Sequence, residues 1–401
     1  MNSAKPNPVQ KLWNRHYIFV AVINTLNAFS FYMVATILSK YLVGIGTSIS
    51  LAGFIVGLFS LTSLVLRPMC GIMSDRLNKL FLLKASNLLM AIGLLGFSIT
   101  DQIPLIIFFR ILNGIGFAIG GTAQVALATE YIPENKMGEG IGYLGLGMVL
   151  GSAVAPAIGI MIAESFGIQF TFVLSAVFAL VAFVLVFTFR ETEVKTVVPP
   201  RRIHFQDIIA PEALPYTLVS GTLSFINGVV ASYLVLYADS LKVGGISLYF
   251  TLYAVVLFVV RPVAGKLMDR KGIRMAVLPA LALTAVSMFM LSHSVTLVAI
   301  LLSGIIRSLG QGSAQPALQA ACINKVGRDR SGVATSTYYL GGDIGQGVGP
   351  MVGGLILNVI AGSAGYVTVF NACGVLVTLA LIYFTVYTYR QHGHAFKAER
   401  I

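Results

Sequence analysis

This sequence is poor in charge. Lys, Arg, Asp and Glu together make up 10% of its 401 residues, whereas soluble globular domains carry about a quarter. An ordinary soluble domain is thereby excluded. Disorder is excluded as well, because 57% of the residues are hydrophobic and disordered chains are poor in apolar side chains. Cysteine is scarce too. Cys70, Cys322 and Cys373 are far apart in the chain, which leaves neither a disulfide framework nor a cysteine metal site. The histidines His16, His204, His293, His392 and His394 form no HExxH-type pair, so no metal and no cofactor are expected. There is no Gly-x-x-x-x-Gly-Lys-Ser/Thr loop to cradle ATP phosphates. No Ser/His/Asp set or paired interior acid argues for an enzyme.

Long apolar runs are abundant. A helix needs about 20 apolar residues to cross the hydrocarbon core. Twelve stretches of that kind can be drawn, at about 17–39, 50–73, 80–100, 103–128, 139–162, 168–189, 213–237, 246–268, 274–293, 295–322, 332–358 and 366–388. Membrane barrels use short alternating segments instead, so an all-α integral membrane protein is expected. The first run is longer than a signal-peptide core and is read as a retained helix.

The 27 Lys and Arg outnumber the 15 Asp and Glu, but their placement argues against nucleic acid. With the N-terminus inside, the loops on that side carry Lys5, Lys11, Arg15, Arg76, Lys79, Lys84, Lys136, Arg190, Lys195, Arg201 and Arg202. They also carry Lys266, Arg270, Lys271, Arg274, Lys325, Arg328, Arg330, Arg390, Lys397 and Arg400. The opposite loops hold Lys40 and Lys242, and Arg67, Arg110, Arg261 and Arg307 fall within spans. Such asymmetry is the positive-inside rule. It predicts a multi-pass protein of the cell inner (plasma) membrane, in contact with the lipid bilayer, with both termini cytoplasmic.

The chain also repeats itself. Arg67, Pro68, Gly71, Asp75 and Arg76 recur as Arg261, Pro262, Gly265, Asp269 and Arg270, always 194 residues later. Gly138, Gly151, Pro156 and Gly159 recur at Gly332, Gly345, Pro350 and Gly353 with the same offset. A constant offset predicts two parallel six-helix halves, 1–189 and 213–401. Between them lies a cytoplasmic linker, 190–212, marked by Pro199-Pro200-Arg201-Arg202.

These motifs resemble those of the major facilitator superfamily of secondary transporters. Gly71, Asp75, Arg76 and Lys79 match its Gly-x-x-x-Asp-Arg-x-Gly-Arg loop, with Asn78 in place of the second Gly. The second copy keeps that Gly as Gly272. Arg110-Ile-Leu-Asn113-Gly114-Ile-Gly116 is similar to the family's span 4 signature, with Asn for Gln. Gly142, Gly151, Ala155, Pro156 and Gly159 resemble the antiporter signature of drug exporters, and span 11 keeps its second half as Gly349-Pro350-Met-Val-Gly353-Gly354. The resemblance implies alternating access and a cavity lined by spans 1, 4, 7 and 10. It implies proton-coupled export of a small organic compound, such as a drug, metabolite or metallophore, by a monomer. Import of a metabolite and a non-transporting receptor are the alternatives.

Candidate residues follow from chemistry at membrane depth, where charges are costly and so tend to be functional. Asp343 is the carboxylate near a span centre, and is the expected proton carrier with Arg307 on the adjacent span as its partner. On span 10, Arg307, Gln311, Gln315 and Gln319 recur every fourth residue and form one stripe. Ser336, Tyr339, Asp343 and Gln346 share about 80° of a helical wheel, and Arg110, Asn113, Phe117 and Gln124 about 60°. From these faces Arg110, Asn113, Phe117, Gln311, Gln315, Tyr339 and Gln346, with Asn24, Asn27 and Phe31 of span 1 and Asn227 and Tyr233 of span 7, are the expected substrate-binding set. The alternative is that the amides simply bond neighbouring helices. Arg67 and Arg261 are read as snorkelling or capping the loops. An inside gate is expected from Asp75, Arg76, Lys79 and Glu130, with Asp269 and Arg270 in the second copy. There the family fold sets each Asp against a helix N-terminus, which favours a carboxylate by about 0.3–1 kcal/mol.

Overall fold

The computed structural model describes residues 11–189, 208–360 and 362–398. Most of the expected linker, and the basic residues Lys5, Arg190, Lys195, Arg201, Arg202 and Arg400, lie outside the described residues. The described regular structure is helical throughout, with no strand. In chain order the first helices are α1 (Arg15–Gly44), α2 (Ile49–Arg76), α3 (Lys79–Ile99) and α4 (Ile103–Tyr131). They are followed by α5 (Met137–Leu144), α6 (Leu146–Phe166) and α7 (Ile168–Thr188). The second group is α8 (Leu214–Ser240), α9 (Ser247–Ser292), α10 (Leu297–Val326), α11 (Ser331–Val359) and α12 (Ser363–Ala398).

Local chemistry sets several starts. The side chains of Asn14, Ser48, Asn78 and Thr296 each accept an N–H from the first turn of the helix they precede, satisfying one of its orphan donors. Asn78 therefore has a reason to replace the family's glycine. Its φ is −62° and its side chain caps α3. At Gly272, the same place in the second copy, φ is +81°, a region that L side chains rarely enter.

Ten helical segments among the described residues are long and apolar enough to cross a membrane, where the runs of sequence suggested twelve. Two differences account for this. The expected spans at 246–268 and 274–293 form one continuous stretch, α9, broken at Gly272. α11 is 29 residues long but is not among the ten, because its run carries Asp343, Gln346 and many glycines in place of apolar side chains. Large apolar side chains such as Val65, Phe187, Val263 and Leu355 point outward, as a lipid-facing surface requires.

α1–α7 pack mainly among themselves, and so do α8–α12; α2 against α11 and α5 against α9 are the main contacts across. The glycine runs have a definite use. Gly147, Gly151 and Gly159 let α6 approach Thr25, Ala28 and Met33 of α1. Gly345, Gly349 and Gly353 let α11 approach Gly221, Phe225 and Tyr233 of α8. They serve packing inside each group, whereas Gly138 and Gly142 of α5 meet α9 across the groups. A side chain at Gly345 would collide with the backbone of Gly221 and Phe225, which cannot rotate away. We expect Gly345→Val to destabilise the purified protein by about 1–3 kcal/mol or more, as overpacking does, read as a lowered melting temperature in detergent. A melting temperature equal to that of the unaltered protein would mean that the α8–α11 contact is looser than described.

Candidate functional site

The interior carboxylate is held from the other group of helices. Arg67 of α2 donates from Nε to Oδ2 of Asp343 on α11 at 2.8 Å. Arg67 is 4% exposed, and its guanidinium stands 4.7 Å from the Tyr339 ring and 6.0 Å from that of Phe117. Two sequence expectations are corrected here. Asp343 pairs with Arg67, not Arg307, and Arg67 is an interior ion-pair partner, not a snorkelling residue. The reason is helix adjacency. α11 packs closely on α8 and α2 and only lightly on α10, so nearness in sequence did not bring Arg307 to Asp343.

Arg307 instead organises a neutral polar network. It donates to Tyr249 Oη at 3.1 Å, Asn227 Oδ1 at 2.7 Å and Gln311 Oε1 at 3.2 Å. Its guanidinium lies 4.7 Å from the Tyr253 ring. Tyr253 in turn donates to Gln311 at 2.6 Å, and Asn227 donates to Gln346 at 3.1 Å. Arg261 donates to the Gly145 carbonyl at 2.6 Å and to Gln315 at 3.2 Å, so it too faces inward and does not snorkel. Gln319 donates to Tyr339 at 3.3 Å. The glutamine stripe of α10 thus serves as a row of neutral partners for Arg307, Arg261 and Tyr339. Tyr249 and Tyr253 were missed in the sequence. Their signal was the spacing of four along α9, continued through Leu257 to Arg261, which puts all four near one face.

The other lobe is aromatic. The rings of Phe31, Phe59 and Phe117 lie 4.7–4.9 Å apart. Arg110 sits beside them, 4.8 Å from Phe59, donating to the Val56 carbonyl at 2.9 Å. Phe59 was another residue that sequence reasoning passed over. Asn113 and Asn27 are buried, and the side-chain amide of Asn27 has no hydrogen-bond partner. Asn24 and Tyr233 have helix-bonding roles, to the Leu144 carbonyl at 2.8 Å and the Pro350 carbonyl at 2.5 Å. An apolar groove of about 600 Å³ lies apart from all of these, between α8, α11 and α12 and lined by Leu214, Leu218, Phe225, Ile344 and Val348. It offers no charge.

At one end the two groups of helices close on each other. Asp75 accepts the N–H of Gly332 at 2.6 Å and of Val333 at 2.9 Å, at the start of α11. Asp269 accepts the N–H of Gly138 at 2.7 Å and of Glu139 at 2.8 Å, at the start of α5. Donors and acceptors of the two contacts differ by the same 194 residues. A side chain at Gly332 would lie 2.6 Å from the Gly71 carbonyl, so these ends touch through backbone. Lys79 pairs with Glu130 at 2.9 Å, and Lys266 with Glu139 at 3.3 Å. Arg76 ends α2, and Arg270 is exposed on α9. Further along α2 and α11, around Gly53, Gly57 and Gly347, there is open space.

Comparison with known proteins agrees with this architecture. The family model described as Major Facilitator Superfamily matches residues 20–350. The multi-drug resistance efflux pump PmrA of Streptococcus pneumoniae is 26% identical over 350 residues, covering 83% of this chain and 84% of that protein. The multidrug resistance protein MdtG of Enterobacter lignolyticus is 25% identical over 392 residues, covering 94% and 92%. Among solved structures, the human organic anion transporter MFSD10 (TETRAN) superimposes with a TM-score of 0.80 at 15% identity, covering 94% of this chain and all of that one. A bacterial homologue of the iron transporter ferroportin in an outward-facing state gives 0.78 at 13%. At those identities the two structures speak for the fold alone.

Proposed function

This chain belongs to the Major Facilitator Superfamily and is a transporter, and from that premise we propose that it is a proton-coupled secondary transporter that exports a small organic compound by alternating access. In this reading α9 crosses the membrane twice, bending at Gly272, and α11 crosses once. Twelve crossings result, in two six-helix halves joined by 190–212, in the plasma membrane with both termini cytoplasmic. The names of the related efflux pumps support export.

One observation carries the reading: the interior carboxylate, Asp343, is ion-paired across the two groups of helices to Arg67. While ionised, it ties α11 to α2. A proton arriving on Asp343 removes one of the two charges and with it the tie, so proton binding alters the balance between the two arrangements of the transporter. Of the neighbours of Asp343, Arg67 supplies the opposing charge and Tyr339 a ring and hydroxyl. Asp75 and Asp269 act at the cytoplasmic end, each holding a helix start of the other half, with Lys79–Glu130 alongside. Their contacts close the two groups of helices on each other at this end.

The test uses purified protein in liposomes holding the pH dye pyranine, with a compound first found by thermal-shift screening. Adding the compound outside should draw protons out as it enters, and the lumen should turn alkaline. Acidification would mean symport, the importer's sign. Compound flux with no pH change would sink proton coupling.

A further inference from the structure

The interior holds more positive charge than the carboxylate can balance. Asp343 balances Arg67, and no carboxylate among the described residues forms an ion pair with Arg110, Arg261 or Arg307. Buried charges ordinarily sit with an opposite charge, because desolvation costs several kcal/mol per ion. Arg110 has a fixed environment, a backbone carbonyl and the Phe59 ring. Arg261 and Arg307 differ. Arg261 keeps the Gly145 carbonyl and Arg307 the Tyr249 hydroxyl, but their other acceptors are Gln315, Asn227 and Gln311, amides that can rotate away. Each of the two, like Arg110, also keeps a buried Nε with no acceptor. Arg307 is 2% exposed, so water is a poor substitute partner.

The two guanidiniums share one neighbour. Tyr253 lies 4.7 Å from Arg307 and is within electrostatic reach of both Arg261 and Tyr32. Tyr32 touches Phe31 edge-on at 5.0 Å between ring centres, and Phe31 belongs to the box of Phe59 and Phe117. A cationic, donor-rich patch therefore adjoins an apolar aromatic box. Asn227, Tyr253 and Gln315 are only partly buried and Gln346 is exposed, so the patch is not fully enclosed by protein.

Building on the transport reading, we infer that the substrate is a ring-bearing organic anion. Its carboxylate, sulfonate or phosphate head takes the donors of Arg261 and Arg307, displacing Gln315, Asn227 and Gln311. Its ring enters the Phe31, Phe59 and Phe117 box. Forked guanidinium donors suit a planar or tetrahedral oxyanion, and stacked rings suit an aromatic body. The anion leaves the Arg67–Asp343 pair in place, so substrate and proton have separate sites. A permanent cation is disfavoured by the same surplus charge.

The experiment measures equilibrium binding to the full-length purified protein, with no gradient, by calorimetry. The probes are 1-naphthalenesulfonate and 1-naphthylmethylammonium, which share a ring and differ in the sign of the head. The sulfonate should bind at least about tenfold more tightly, one charge-assisted contact's worth. Arg261→Gln and Arg307→Gln should each weaken the sulfonate about tenfold or more and not weaken the ammonium. Arg261→Lys and Arg307→Lys, which keep the charge and lose the fork, should fall between, and they decide the matter if a Gln variant does not fold. Asp343→Asn should bind the sulfonate within a few-fold of the unaltered protein. An ammonium bound as tightly as the sulfonate overturns the inference. So do Gln or Lys variants that bind the sulfonate undiminished. The two readings fail separately. Sulfonate selectivity with no pyranine response removes proton coupling alone, and a pyranine response without sulfonate selectivity removes the anion alone.

Discussion

Asp343→Asn should abolish transport against a concentration gradient while leaving downhill exchange and substrate binding intact. Asn keeps the size of the side chain and part of its hydrogen bonding but cannot take up or release a proton. It also leaves Arg67, 4% exposed, without its counter-charge. Removing one partner of a fully buried pair costs about 3–5 kcal/mol. The cost here should fall below that, because the Asp343 side chain is 24% exposed. A measurable fall in melting temperature should therefore accompany the transport defect. Adding Arg67→Gln should restore stability, since the two changes remove the pair together. It should not restore uphill transport. Gradient-driven accumulation by the Arg67→Gln, Asp343→Asn protein would show that Asp343 is a structural counter-ion and that the proton travels elsewhere. Arg307→Gln, in contrast, should not rescue the stability of Asp343→Asn, because Arg307 makes its bonds to Tyr249, Asn227 and Gln311.

The second large effect concerns the closed end. Asp75→Asn replaces a carboxylate that accepts two backbone N–H groups of α11 with an amide that has one acceptor oxygen. Hydrogen bonds to charged groups contribute about 1.5–3 kcal/mol each, so the loss should shift the balance toward opening by about ten- to a hundredfold. Ser336 reports on it. It is fully buried and lies against Gly71 where α2 and α11 meet. A cysteine placed there in an otherwise cysteine-free protein should react slowly with a water-soluble thiol reagent, and at least about ten times faster once Asp75 is changed. Asp269→Asn should do the same for the contact with α5, and the double variant should lose most of its turnover while still binding substrate. Equal labelling rates with and without Asp75 would mean that the contact does not hold this end shut.

Much of the candidate site was legible as chemistry before it was legible as geometry. The scarcity of charge made each interior arginine and Asp343 conspicuous, and the fourfold spacing from Arg307 to Gln319 marked a single face of α10. The offset of 194 pointed to Asp75 and Asp269 together, and both carboxylates meet the helix starts that the family resemblance implied. The pairing of these groups was not legible. Arg67 lies 276 residues from Asp343 and Arg307 lies on the neighbouring helix, so proximity along the chain favoured the wrong partner. The same limit hid Tyr249, Tyr253 and Phe59, whose spacing is indistinguishable from that of core aromatics until the facing helix is known.

By itself the sequence determined that the chain is an all-helical membrane protein, where most helices begin, and which few charged groups fall within its spans. The reason is that apolar run length, capping side chains and the backbone demands of glycine are local properties. Only the tertiary structure decided that Arg67 neutralises Asp343, that Arg261 and Arg307 are left to neutral partners, and that Phe31, Phe59 and Phe117 form a box. Those facts depend on which helix faces turn toward each other. That choice is made by close packing over many small contacts, such as Gly345 on Gly221 and Gly151 on Ala28, and a one-dimensional pattern does not carry it.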